Sequence, residues 1–159
     1  HPSLKHPSGH VGPALVALVT DIDTNEPLSL HRTWISSTDK ANLDEPRLNL
    51  AGHAIKNGCI RLWPDEEVTY GLGIAEGIET ALSLAWAHAP VWATIDAGHL
   101  SHFPVLRGVE ELVIAVDNDP PGIAASNKCA HRWSAAGKGV LLTRQSRNDL
   151  NDELQEAMR

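Results

Sequence analysis

Two stretches of this chain carry acids where chemistry is possible. AEGIETALSL (75–84) and ELVIAVDNDPPG (111–122) each run as a hydrophobic strand into carboxylate and then turn through glycine into a helix. Two such strand ends in one sheet bring Glu76, Asp117 and Asp119 to one edge. Acids at strand C-termini suit a hard divalent cation, because Mg²⁺ takes oxygen ligands and leaves positions for substrate phosphates. The implied chemistry is phosphoryl transfer on nucleotides or nucleic acid. Asp117 and Asp119 are one residue apart, so in extended backbone both face one side while Asn118 faces the other. Gly122 lets the backbone turn. The plainer reading is a strand-to-helix turn with Asp119 as N-cap. Glu76, beside Gly77, is equally a first-turn acid favoured by the helix dipole. Glu79 either supports the site or is an ordinary exposed helix residue. A third cluster, NDLND (148–152), offers Asp149 and Asp152; as plain structure, Asp149 is an N-cap with Asp152 at N3.

The elements that must position these acids fall into two parts. In the first, ALVALVTD (14–21) and LSLHRTWI (28–35) flank a short turn and predict a β-hairpin. RLNL (47–50) and CIRLWP (59–64) are further short strands, so residues 1–70 read as antiparallel β. From Gly71 the rhythm becomes strand, helix, strand, helix. LGIAE (72–76), VWATI (91–95), ELVIAV (111–116) and VLLT (140–143) are the strands. IETALSLAWAHA (78–89) predicts a helix with Ile78, Leu82, Ala85 and Trp86 on one face. DAGHLSHF holds at most a short helical turn. A helix opens near Pro121, where a missing N–H is not needed, and runs to about Ala136. DLNDELQEAM (149–158) is a terminal helix. Alternation of this kind implies an α/β parallel sheet flanked by helices over 71–159.

Composition narrows the class. The chain has 159 residues, 42% hydrophobic and 21% charged, enough for a buried core. No apolar run reaches the ~20 residues of a membrane span, and no signal-peptide pattern is present. Cys59 and Cys129 are too few and scattered for a disulfide framework or a four-thiolate zinc site, and fit a reducing cytoplasm. A net charge of −7 argues against a general polyanion-binding surface, although a cation bound by the acids offsets part of it.

Several other groups invite a role. Strand-borne Arg47 and Arg61 suit template or triphosphate phosphates, since arginine grips phosphate bidentately; solvated surface charge is the plainer reading. Lys128 and Arg132, four apart on the helix after the acids, make a small basic face. His99 and His102 lack a thiolate companion and read as solvated loop histidines. Trp86, Trp92 and Trp133 read as core packing, while Trp34 and Trp63 are candidates for stacking on a base.

The order strand–Glu–Gly–helix, strand–Asp-x-Asp-x-x-Gly–helix, strand–Asp-x-x-Asp–helix resembles the Toprim domain of DnaG-type primases, topoisomerases and some nucleases. Glu76-Gly77, Asp117, Asp119 and Gly122 carry the match, with Asp149 and Asp152 at the third acidic position. EGIETALS and DLND are most similar to the primase-like Toprim proteins of phages, plasmids and other mobile elements. Residues 71–159 carry the Toprim resemblance, and 11–70 resembles the N-terminal part of a primase catalytic core. The resemblance implies Mg²⁺ or Mn²⁺ on Asp117 and Asp119, with Glu76 as general base/acid or further ligand. Asp149 and Asp152 would support a second ion or hold the other ligands, with Glu79, Gly77 and Gly122 behind them. It further implies an enzyme that makes short RNA primers from NTPs on single-stranded DNA. The chain is expected to be a piece of a larger cytoplasmic primase or primase–helicase, with a zinc-binding domain and a helicase as partners and weak activity alone. A Toprim nuclease and a non-catalytic nucleic-acid-binding module are the alternatives. The chain departs from the family at Pro120-Pro121, a stiffer turn, and in its sparse third cluster.

Overall fold

The computed structural model describes residues 1–158; Arg159, the last residue of the expected 71–159 domain, lies outside them. The chain divides into two compact units, His1–Lys56 and Asn57 onward.

The first unit is antiparallel. β1 (Leu4–Lys5) pairs with β2 (Val11–Gly12). β3 (Ala14–Asp21) and β4 (Pro27–Trp34) form the expected hairpin, and β5 (Arg47–Asn49) joins β4. Asp21 builds the turn: its Oδ1 accepts from the Asp23 and Thr24 amides, both at 2.9 Å, and Asn25 takes the left-handed conformation at φ 59°. Trp34 is fully buried with Ala14 and Ala41, and its Nε1–H donates to the Leu4 carbonyl at 3.0 Å. A buried indole with a satisfied N–H is a packing residue; it is closed to base stacking.

The second unit is the α/β part. Its strands are β6 (Gly58–Arg61), β7 (Gly71–Ala75), β8 (Val91–Ala93), β9 (Glu111–Ala115) and β10 (Gly139–Leu142). They lie in the order β10-β9-β7-β8-β6, with every pair parallel except β6–β8. Leu72–Ala75, Val91–Ala93 and Leu112–Ala115 are all buried, as in a sheet covered on both faces. The expected boundary at residue 70 and the division after Lys56 differ by the segment of β6. That strand hydrogen-bonds to β8 and therefore packs with the second unit.

The helices are α1 (Ile78–Leu84), α2 (Ala97–His102), α3 (Pro120–Ala135) and α4 (Leu150–Ala157). A 3₁₀ turn spans Asp65–Glu67. α1 is shorter than the expected 78–89, and its buried face is Ile78, Ala81 and Leu84. Leu82 is 47% and Trp86 75% exposed. The expected face was rotated: both Ile78, Leu82, Ala85, Trp86 and Ile78, Ala81, Leu84 satisfy helical spacing, and the sheet takes the second. Trp92 and Trp133 are in the core as expected; Phe103 stacks on Trp133 at 6.3 Å and meets Trp92 edge-on at 6.4 Å. No described helix is long and apolar enough to cross a membrane.

Candidate active site

Glu76 follows the last residue of β7. Thr94 fixes that strand end, donating from its amide (2.8 Å) and its hydroxyl (3.1 Å) to the Ala75 carbonyl. Glu76 is half-buried, accepts from the Ala97 amide and lies in the field of three aspartates. Its carboxyl is pushed up to about 7, first by burial and then by Asp117, Asp119 and Asp96. Ala75 pairs with Ala115 in the parallel β7–β9 ladder, so Glu76 and the Asp117–Asp119 turn leave the same edge of the sheet.

Asp119 is the N-cap of α3. Its Oδ1 accepts from the Gly122 amide at 2.7 Å, and Pro120 and Pro121 fill N1 and N2, where no N–H is needed. The stiff turn is thus the first turn of the helix. A Cβ on Gly122 would lie 2.6 Å from the Asp117 carbonyl oxygen and 2.9 Å from Asp119 Oδ1. Glycine here is demanded by close approach to the acidic turn. Gly77, by contrast, caps α1 with extended backbone at φ −103°, which any residue adopts. Glu79 sits half-buried in the first turn of α1.

The third cluster is tied to the second through the backbone. After β10 the chain runs on beside residues 116–118. The Val116 amide donates to Thr143 Oγ1 at 3.1 Å, Gln145 Nε2 donates to the Val116 carbonyl, and the Asn118 amide donates to the Asn148 carbonyl. Asn118 Nδ2 also reaches the Arg147 carbonyl at 3.3 Å. Asn118 is a residue that sequence reasoning set aside because it faces away from the acids; facing away is what lets it make this joint. Asp149 caps α4, accepting from the Asp152 amide at 2.8 Å. Replacing Asp149 by alanine is expected to cost about 1 kcal/mol of helix stability, read as faster amide hydrogen exchange over 150–157 with α3 unchanged.

Asp96 was missed. It lies three residues beyond β8, at the end of the apolar run VWATI, so the sequence VWATID shows an apolar-run-then-acid pattern like that of Glu76. It caps α2, accepting from the His99 amide at 2.8 Å, with His99 Nδ1 also 2.8 Å away. That side-chain contact holds the Asp96 carboxyl below the usual carboxylate range. His99 and His102 are therefore on a helix, not in a solvated loop.

The basic candidates lie on other elements than the acids. Arg47 is exposed on β5 in the first unit. Arg61 pairs with Asp65 at 2.6 Å and lies 4.5 Å over the Trp92 ring. Lys128 is exposed on α3 with Nζ 3.4 Å from His102 Nε2. Arg132 donates to the Ser101 and Phe103 carbonyls at 2.8 and 3.1 Å, closing the end of α2.

Among the described residues no three His, Cys, Asp or Glu side chains form a ready-made metal cage. The donor set still fits a hard cation. Burial first, and then the fields of Asp117, Asp119 and Asp96, raise the Glu76 carboxyl to about 7, and a divalent ion would offset the charge these acids share. Mg²⁺ binds through one or two carboxylates and completes its shell with water and phosphate. Asp117, Asp119 and Glu76 would hold it.

The raised Glu76 carboxyl has a signed consequence. Its folded value, about 7, exceeds the ordinary 4.5, so the native state keeps a proton that the unfolded chain releases. Its contribution is fully present below 4.5 and is lost as pH rises to about 7. In EDTA, the urea midpoint of the wild type should fall across that window more than that of Glu76→Gln. Equal pH profiles would show that Glu76 titrates normally.

Residues 71–159 match the Toprim domain family, and residues 1–62 match a domain of unknown function (DUF7146). No curated protein matches in sequence. Among solved structures, the primase fragment of the bacteriophage T7 primase-helicase superposes with a TM-score of 0.67 at 18% identity, over 98% of this chain and 62% of that one. The T7 primase domains bound to an RNA/DNA hybrid and dTTP, with the lagging-strand DNA polymerase, give 0.66 at 16%, over 98% and 76%. The zinc-binding and RNA polymerase domains of the Aquifex aeolicus primase give 0.59 at 13%, over 97% and 40%. At these identities the likeness is one of fold.

Proposed function

The chain belongs to the Toprim domain family, and from that premise we propose that it is the catalytic core of a DNA primase. In this reading it joins NTPs into short RNA primers on single-stranded DNA. The observation that supports it is the shared field of Glu76, Asp117 and Asp119 at the C-terminal edge of parallel strands. The match of nearly the whole chain to a primase fragment makes primer synthesis the favoured use of that field.

Mg²⁺ or Mn²⁺ bound there would neutralise triphosphate charge and make an attacking 3′-hydroxyl more acidic. The protein's own contribution is placement. Thr94 holds the strand end that carries Glu76, the α3 cap holds Asp119, and Gly122 allows Asp117 to sit against the helix start. A carboxyl near 7 is matched to proton transfer at neutral pH, so Glu76 serves as the proton acceptor or as a ligand once ionised. Asp149 and Asp152 would back the ligands, held in reach by the Asn118–Asn148 bond. Arg47, Arg61 and Lys128 are proposed for template and triphosphate phosphates, Arg61 after exchanging Asp65 for phosphate. In the whole protein, which would act in the cytoplasm, a zinc-binding domain and a helicase would supply template reading and movement.

The test is one gel. The protein is incubated with single-stranded DNA and labelled NTPs in Mg²⁺ or Mn²⁺. Metal-dependent short RNA oligomers are expected. Shortened template without oligomers would select a Toprim nuclease instead, and neither product from a folded protein would select a binding module.

A further inference from the structure

Behind the acidic turn, on the side that Asn118 faces, lies a hollow of about 380 Å³ between α3 and the end of β10. Val116 and Asn118 line it, whereas Asp117 and Asp119 do not. Strand alternation therefore separates it from the carboxylate cluster by the thickness of one backbone. Its size is at the low end of the ~300–1,000 Å³ of small-molecule sites.

The lining has a distinct chemistry. Val116, Ile123 and Leu142 supply aliphatic walls, and Ile123 and Leu142 are exposed there at 40% and 38%. Ser126 is 1% exposed, and its Oγ has no hydrogen-bond partner among the described residues. A buried hydroxyl without a partner is uncommon and leaves a hydrogen-bonding group beside the hollow. Asn127 and Arg144 are both exposed at the rim. No carboxylate lines the hollow, although the chain as a whole carries −7. A flat body with apolar faces, an edge of donors and acceptors, and an attached anion meets all three kinds of group.

We propose that this hollow is a second ligand site that takes one nucleotide. The base lies against Val116, Ile123 and Leu142 with its edge at Ser126 and Asn127, and the 5′-phosphate pairs with Arg144. Aliphatic contact recognises the faces of a base, and a hydroxyl with an amide reads its edge. Arginine grips phosphate through two parallel N–H groups. The ligand comes either as a free mononucleotide or as one residue of a strand. The site stands on its lining and is independent of primer synthesis.

The experiment is a titration of the full chain with AMP and, separately, CMP, in excess EDTA so that the carboxylates hold no cation. Binding is followed by amide chemical shifts. Saturable shifts confined to residues 116–127 and 142–145 are expected. Arg144→Glu should weaken binding about 10-fold or more, the loss of one charge-assisted pair. Ser126→Ala should weaken it less, and Asp117→Asn should leave it unchanged. A short single-stranded trinucleotide that binds more tightly than either mononucleotide assigns the site to a strand; equal binding assigns it to free nucleotide. The proposal is overturned by a folded protein that shows no saturable shift at millimolar nucleotide. It is equally overturned by shifts centred on Glu76 and Asp96 that vanish in Asp117→Asn, or by inorganic phosphate competing as well as nucleotide.

Discussion

Asp117→Asn should leave a folded protein whose metal-dependent nucleotide incorporation falls by about 10²–10³-fold, the usual cost of removing one preorganised electrostatic partner. Asparagine keeps the volume and hydrogen-bonding shape of the side chain but removes its charge. Asp117 is half-buried at the end of β9 and is the largest charged contributor to the raised Glu76 carboxyl. Its loss should therefore also bring the Glu76 titration down from about 7 toward 4.5, visible by carboxyl ¹³C NMR. The double readout matters because the two effects have one origin. A variant that incorporates nucleotide at the wild-type rate while Glu76 titrates lower would show that the acids share a field without forming the reaction centre. Asp119→Asn makes a useful companion, because asparagine caps helices as well as aspartate does. It should lose activity while α3 keeps its cap.

Gly122→Ala is expected to destabilise the protein by about 1–3 kcal/mol and to reduce activity along with it. Two effects oppose each other here. Alanine is the better helix former by about 0.8–1.0 kcal/mol, and Gly122 lies in the first turn of α3. Against this, the added Cβ would stand 2.6 Å from the Asp117 carbonyl oxygen and 2.9 Å from the Asp117 Cβ. Those are atoms of the acidic turn itself, not the tip of a flexible side chain. The turn must open, and opening it moves both aspartates and lengthens the 2.7 Å cap from Gly122 to Asp119. A urea midpoint that falls with an unchanged m-value is the expected result. A midpoint equal to or above that of the wild type would mean that the turn has slack to absorb a methyl group.

Much of this site is legible in the residues. β7, β9 and β10 announce themselves as short apolar runs, and each leads toward carboxylate. Asp-x-Asp-x-x-Gly followed by proline marks both the acids and the helix start, because the same carboxylate that serves the site also caps the helix. What resists reading is the partner of each face. Trp86 and Leu82 sit on a helical repeat that looks like a core face, yet the sheet lies under Ile78, Ala81 and Leu84. A short helix offers two overlapping apolar stripes, and only the tertiary contact chooses between them. Asp96 is marked in the sequence only by the apolar run VWATI before it; its role as the cap of α2 and its place in the field of Glu76 depend on the fold. Arg61 reads as a phosphate ligand by type, but its guanidinium over Trp92 and against Asp65 depends on neighbours brought by folding. The Asn118–Asn148 bond is a contact between loops distant in sequence, and no local pattern announces it.

The strand order also governs what happens while the chain is being made. β7 lies between β8 and β9, and β9 is synthesised well after both β7 and β8. Until Glu111 and the residues after it emerge, one edge of β7 offers bare N–H and C=O groups along Gly-Leu-Gly-Ile-Ala, a strand whose side chains are destined for the core. Such an edge is a template for pairing with another copy. A chain cut between residues 94 and 110, with β7 and β8 made but β9 missing, is therefore expected to pair with other copies along that edge. The same late arrival of β9 delivers Asp117 and Asp119 to Glu76, so the carboxylate cluster and escape from aggregation are completed in one step of synthesis.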